Sequence, residues 1–174
     1  MVVSISVAVT LAVMGWPAAR ATSSVDTAGV TLVDGQPCFS VPSGRSANGS
    51  ALRLHSLSVT QTAARADWRT LPQEMWGFTV DWPGIVLDGV AGACIRYGDL
   101  PGTAHARSEP RPLQPTQVYQ VEINARPADG AGSTLGYEAQ FCVMPMAGGT
   151  VEVRTVPWDD RARRWREDAC NGRD

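Results

Sequence analysis

The chain contains no lysine, so all 15 of its basic side chains are arginines, and it has only two histidines. Each scarcity removes a class of chemistry. A formal net charge of −2 leaves no basic excess to displace counterions, so no nucleic-acid partner is expected. The cysteines form no C-x-x-C, and His55 and His105 stand far from any of them in sequence, so neither a metal nor a cofactor is expected. G-x-S-x-G, H-E-x-x-H and a phosphate-cradling glycine loop are also missing. A nucleophilic Ser or Cys would find a base only in His55 or His105, and neither stands in a recognisable motif. The expectation is a protein that is not an enzyme. Sequence spacing leaves one exception open, a pair of carboxylates flanking a cleft as in glycosidases.

Long hydrophobic runs are scarce as well. One uncharged run, residues 2–16, is too short to span a bilayer comfortably, and it leads into Pro17 and the small-residue step Ala19-Arg20-Ala21. That pattern reads as an export signal over residues 1–21, cut before Thr22, with residues 22–174 as a single domain. A domain of that size buries about 70% of the surface its unfolded chain exposes. No Lys or Arg precedes the run, unlike an ordinary signal. Val13-Met14-Gly15-Trp16 follows the end of a lipoprotein signal except that Trp16 replaces the cysteine. Without that thiol no lipid is attached there, and a membrane anchor is not expected. The lysine-free, Ala-, Arg-, Gly-, Pro- and Val-rich composition suggests a GC-rich bacterial genome, in which the sequon Asn48-Gly49-Ser50 is accidental.

What the chain does have begins with four cysteines, Cys38, Cys94, Cys142 and Cys170, all after the expected cut. An even count in an exported chain implies two disulfides in an oxidising compartment. Three pairings are possible. Cys38–Cys94 with Cys142–Cys170 is favoured, because the second bridge would staple a C-terminal tail onto the strand before it. In the loop-entropy model each bridge adds about 3–4 kcal/mol.

Short β-rich segments alternate with Gly- and Pro-marked turns, an all-β pattern. Residues 29–33 and 37–41 flank Asp34-Gly35 and predict an opening hairpin. In the strand 53–60 the apolar phase slips between Leu54 and Leu57, which one extra residue in a bulge explains. Strands are also expected at 66–69, 75–80 and 92–98. Residues 99–116 hold four prolines and are expected to be a surface crossing. The cleanest alternation places Tyr119, Val121, Ile123 and Ala125 on one face, with Tyr137, Ala139, Phe141 and Val143 as partner strand. Cys142 then points outward. Residues 151–155 alternate again, and a closing hairpin turns at Asp159-Asp160. Around it Asp159, Asp160, Glu167 and Asp168 balance Arg161, Arg163, Arg164 and Arg166, which reads as a solvated hairpin with cross-strand ion pairs. Of the tryptophans after the cut, Trp68, Trp76, Trp82, Trp158 and Trp165, most are expected in the core or rim. Trp82, beside Pro83-Gly84, is the one expected to be exposed.

The wording L-x-P-x-x-x-Y-x-V-x-I-x-A from Leu113 to Ala125 resembles the E-to-F corner of fibronectin type III and related immunoglobulin-like domains. It implies that Tyr119 is structural, its hydroxyl bonding upstream backbone. Together with Gly35-Gln36-Pro37-Cys38-Phe39, Ala93-Cys94-Ile95-Arg96-Tyr97-Gly98 and Tyr137-Glu138-Ala139-Gln140-Phe141-Cys142, the chain resembles periplasmic immunity lipoproteins of type VI secretion systems. That resemblance implies an immunoglobulin-like antiparallel β-sandwich with disulfides, and a periplasmic protein that neutralises a toxic protein effector by binding it. Loops on a rigid sandwich carry recognition residues, so Trp82, His105 and Arg107 are the expected partner-binding set. Two other readings compete: a secreted hydrolase or carbohydrate-binding module, and an envelope assembly component or chaperone pairing through a strand edge.

Overall fold

The computed structural model describes residues 25–41, 50–62, 72–87, 94–130 and 135–171. The expected signal 1–21, the expected strand 66–69 with Trp68, residues 92–93 and Asn48-Gly49 of the sequon lie outside the described residues. Thirteen strands follow in chain order: β1 (Val25–Thr27), β2 (Gly29–Val33), β3 (Gln36–Ser40), β4 (Leu52–Gln61), β5 (Gln73–Val80), β6 (Ile85–Leu87) and β7 (Ile95–Arg96), then β8 (Ala104–Ser108), β9 (Tyr119–Pro127), β10 (Leu135–Pro145), β11 (Val151–Val156), β12 (Trp158–Asp159) and β13 (Arg164–Trp165). A short 3-10 turn, Glu167–Cys170, closes the described chain, and no α-helix occurs among the described residues. No helix there is long and apolar enough to cross a membrane.

The fold is an all-β sandwich. One sheet runs β1-β10-β9-β4-β5-β8, with β11 added to β10 and β6 to β4, and a smaller sheet runs β2-β3-β7. Pairing is antiparallel except for β1, which lies parallel to β10, so the large sheet is mixed. The alternation read from sequence sets the core: Tyr119 lies opposite Phe141, Val121 opposite Ala139 and Ile123 opposite Tyr137, and β4 continues the layer with Leu57 and Val59. All of these are buried, each aliphatic or phenyl side chain contributing about 1.5–3 kcal/mol. Phe39 of the small sheet meets Phe141 of the large one at 5.4 Å between ring centres. The opening hairpin turns at Asp34 and Gly35, both at positive φ.

The bulge in β4 is where the slipped phase predicts it. Leu54 faces Ala125 and Ser56 faces Asn124, so His55 is the unmatched residue. Three expectations need correction. The proline-rich stretch 99–116 is not only a crossing, because β8 lies within it and pairs with β5. Its prolines flank β8 instead of interrupting it, and an edge strand needs donors on one side only. The strand expected over 92–98 is just Ile95–Arg96 in the described residues, ended by Gly98 at φ +89°. The closing hairpin turns over 160–163, not at Asp159-Asp160, because Asp159 Oδ1 accepts the N–H groups of Arg161 and Ala162, both at 2.9 Å. Trp158 packs edge-on against Trp165 across it at 5.3 Å. Among the described residues the ion pair there is Arg166 to Asp168 at 3.8 Å, within the tail, while Arg164 stands directly opposite Asp159 across the strands.

Both disulfides form, in the favoured pairing. Cys38–Cys94 ties β3 to the approach to β7, and Cys142–Cys170 fastens the tail onto the outward face of β10 over Met144 and Val156. Tyr119 turns the corner as the resemblance implies: its hydroxyl accepts the Gln114 N–H at 2.6 Å and lies 3.4 Å from the Gln114 carbonyl. Tyr119→Phe should therefore leave the Gln114 donor unmatched and cost about 1–2 kcal/mol in urea unfolding, with the far-ultraviolet spectrum unchanged. Replacing Cys142 and Cys170 together by Ala opens a loop spanning 28 residues and should cost about 3–4 kcal/mol in the same assay.

Candidate functional site

The most exposed large apolar side chain among the described residues is Trp82, with 74% of its surface open. It sits in the turn that follows β5, where Gly84 N–H donates to the Asp81 carbonyl at 2.8 Å and the Trp82–Pro83 peptide is cis. Gly84 adopts φ +87°, and a Cβ there would come within 2.6 Å of the Leu54 carbonyl oxygen. A glycine is thus needed both for the backbone conformation and for the turn to press against β4 at its bulge.

That close approach brings the bulged His55 under the indole. The two rings are 5.7 Å apart and 24° from parallel, a stacked arrangement. From β9 the Arg126 guanidinium lies 6.0 Å from the indole centre, within cation–π range. From β4 Arg53 Nη1 reaches the Gly84 carbonyl at 3.4 Å. His55 Nε2 is buried without a hydrogen-bond partner among the described residues. Burial first, then the charges of Arg126 and Arg53, hold the His55 pKa below its ordinary value. The indole therefore rests on a neutral imidazole and is rimmed by two guanidinium groups.

Of the residues expected from sequence to bind a partner, Trp82 and His105 are brought together and Arg107 is set apart. His105 Nε2 lies 2.9 Å from Asp81 Oδ2, which ties β8 to the Trp82 turn. Arg107 is engaged by Glu74, through Nε at 3.1 Å and a second bond from Nη2, while Ser108 Oγ donates to the same carboxylate at 2.7 Å. The Arg107 bond, helped by Ser108, holds the Glu74 carboxyl below its ordinary pKa against the opposing effect of burial. Sequence reasoning missed His55, Arg53, Arg126 and Asp81 as members of the site. The predicted bulge was the available signal for His55, because an extra residue re-aims its side chain.

A concavity of about 570 Å³ lies between the β2–β3 hairpin, the proline-rich strap and the start of β11. Tyr97 lines it, but its hydroxyl is held by the carbonyls of Arg111 at 2.7 Å and Met75 at 3.1 Å, and burial pushes its pKa up to about 12. Asp99, also on the lining, pairs with Arg96 at 2.8 Å. The tyrosine works as a fastener for the strap. Among the described residues no group of three or more His, Cys, Asp or Glu side chains converges as a metal site.

A histidine whose folded pKa is lowered binds fewer protons than it does in the unfolded chain, so its contribution is intact above the ordinary value of 6.5 and is lost as pH falls below it. His55→Gln should accordingly flatten the decline of unfolding free energy between neutral and mildly acidic pH. NMR titration should place the His55 midpoint below 6.5. Comparison of the chain with family models, with curated proteins and with solved structures gives no match, so the functional reading stands on this geometry and on the sequence.

Proposed function

We propose that this chain is an exported binding protein, and that its role is to neutralise a type VI secretion effector in the periplasm by gripping it directly. The observation that carries the binding role is Trp82: a broadly exposed indole, fixed by His55 beneath it and by Arg126 and Gly84 beside it, on a disulfide-linked sandwich. Rigid exposed tryptophans flanked by arginine are the residues that dominate protein interfaces, because large area is buried at little entropic cost. The two disulfides fit an oxidising compartment, and the choice of effector as partner rests on the family resemblance of the cysteine-bearing strands. His105 and Asp81 extend the surface at the β8 edge, while Arg107, paired with Glu74, stands apart from it.

The carbohydrate-binding reading draws on the same indole, whose open surface would also suit stacking against a sugar ring. The strand-pairing reading draws on β8, a sheet edge among the described residues, yet that edge is five residues long, bulged at Arg107 and charged, the devices by which edges resist added strands.

Pull-down of the purified chain against the products of its neighbouring genes tests the proposal. A neighbour whose toxicity is suppressed on co-expression should be captured, and Trp82→Ala should weaken that capture by at least about thirtyfold, a hot-spot loss of about 2 kcal/mol, without altering the melting temperature. No captured neighbour and unchanged toxicity would overturn the immunity role. Binding on a glycan array abolished by Trp82→Ala would replace it with the carbohydrate reading.

A further inference from the structure

Strand register lines up one row of side chains beside the Trp82 turn. Val86 of β6 lies directly opposite Arg53 of β4, and Arg53 lies directly opposite Arg126 of β9. Val86 is 37% exposed, so the row runs from an open apolar side chain to two guanidinium groups, with the still more open indole of Trp82 beside them. Like charges placed opposite each other on a sheet oppose its formation. Arg126 is accommodated within the chain, by the indole and by further contacts. Arg53 is not accommodated in the same way. The Gly84 turn packs against its Cβ, and its Nη1 reaches the Gly84 carbonyl at the long distance of 3.4 Å. Among the described residues no carboxylate pairs with it. Of the acids on the adjoining turns, Asp81 faces His105 at 2.9 Å and Asp129 accepts from Ser50 Oγ. The charge left without a counter-ion at the rim of the indole, among the described residues, is therefore that of Arg53.

A guanidinium presents paired N–H donors in a planar fork that matches the two oxygens of a carboxylate. Here the fork stands between two exposed apolar groups, Trp82 and Val86, which can bury an apolar neighbour of the same acid. A basic partner would set its charge against both Arg53 and Arg126. A neutral one would bury a guanidinium with no counter-ion, which is also costly. Charge complementarity thus selects among the partners that the indole by itself would accept.

We infer that the partner surface covering Trp82 is acidic, with a carboxylate seated on Arg53 and an apolar group over the indole and Val86. The inference names the chemistry of the partner and rests on the binding role proposed above.

Association kinetics of the purified chain with the neighbouring gene product captured in the pull-down test it. Raising salt from about 0.1 to about 1 M, which shortens the screening length from about 10 to about 3 Å, should slow association about threefold or more. R53Q should weaken binding and flatten that salt dependence. R53E should weaken it at least about tenfold, chiefly through slower association, whereas Trp82→Ala should act through faster dissociation. Because R53E sets a carboxylate opposite Arg126, it removes a repulsion and should melt no lower than wild type, so lost binding is not lost folding. R53Q carries the test should R53E melt lower. In a double-mutant cycle R53Q should couple by at least about fivefold to exchange of one acidic residue of the neighbour for its amide. A captured neighbour that binds both Arg53 variants as tightly as wild type, or more tightly, overturns the inference and leaves the immunity role standing, as does the absence of any coupled acid. Failure to capture any neighbour removes both.

Discussion

One extra residue in β4 organises both the core and the surface of this protein. Leu54 and Leu57 lie on opposite phases of a regular strand, yet both are fully buried. Only the unmatched His55 lets the two halves of the strand face the same core while keeping their pairing with β9. The same insertion leaves a side chain with no cross-strand neighbour, and the turn after β5 lays Trp82 over it. A regular β4 would turn half of its leucines and valines toward solvent and remove the support of the indole together.

The sandwich also solves the problem set by its prolines. Beyond β8 the proline-rich stretch, residues 109–116, has few backbone donors to give a sheet, so side chains help to hold it. Tyr119 takes the Gln114 N–H, Tyr97 donates to the Arg111 and Met75 carbonyls, and the Arg111 N–H reaches the Met75 carbonyl. Burial raises the pKa of both phenols, which keeps each hydroxyl protonated through the physiological range and able to donate. The tail, too short to build a core of its own, is anchored by Cys142–Cys170 and the small apolar cluster around it.

These ties produce an uneven surface. The Trp82 turn, the bulge and the arginine pair gather at one end of the exposed sheet face, and the glutamate pair stands further along it. Electrostatic patterning of this kind selects partners and orientation more than it adds affinity, while the indole supplies area that binding can bury.

The strands from Tyr119 to Ala125 and from Tyr137 to Val143 were legible from alternation alone, because burial of one sheet face imposes a two-residue period on the chain. The bulge was legible as a slip in that period, the Tyr119 corner as a spaced motif, and the disulfide pairing from the outward phase of Cys142. The edge strand β8 was not, since an edge has half the donors of a central strand and little apolar alternation to display. Nor was the company of Trp82, because His55, Asp81, His105 and Arg126 lie far apart along the chain or carry no pattern of their own. By itself, then, the sequence determined the fold class and the core layers, which follow from local periodicity, and favoured one of three disulfide pairings. Only the tertiary structure decided which polar side chains meet, because cross-strand register and the close approach of a glycine turn are long-range outcomes that no local repeat encodes.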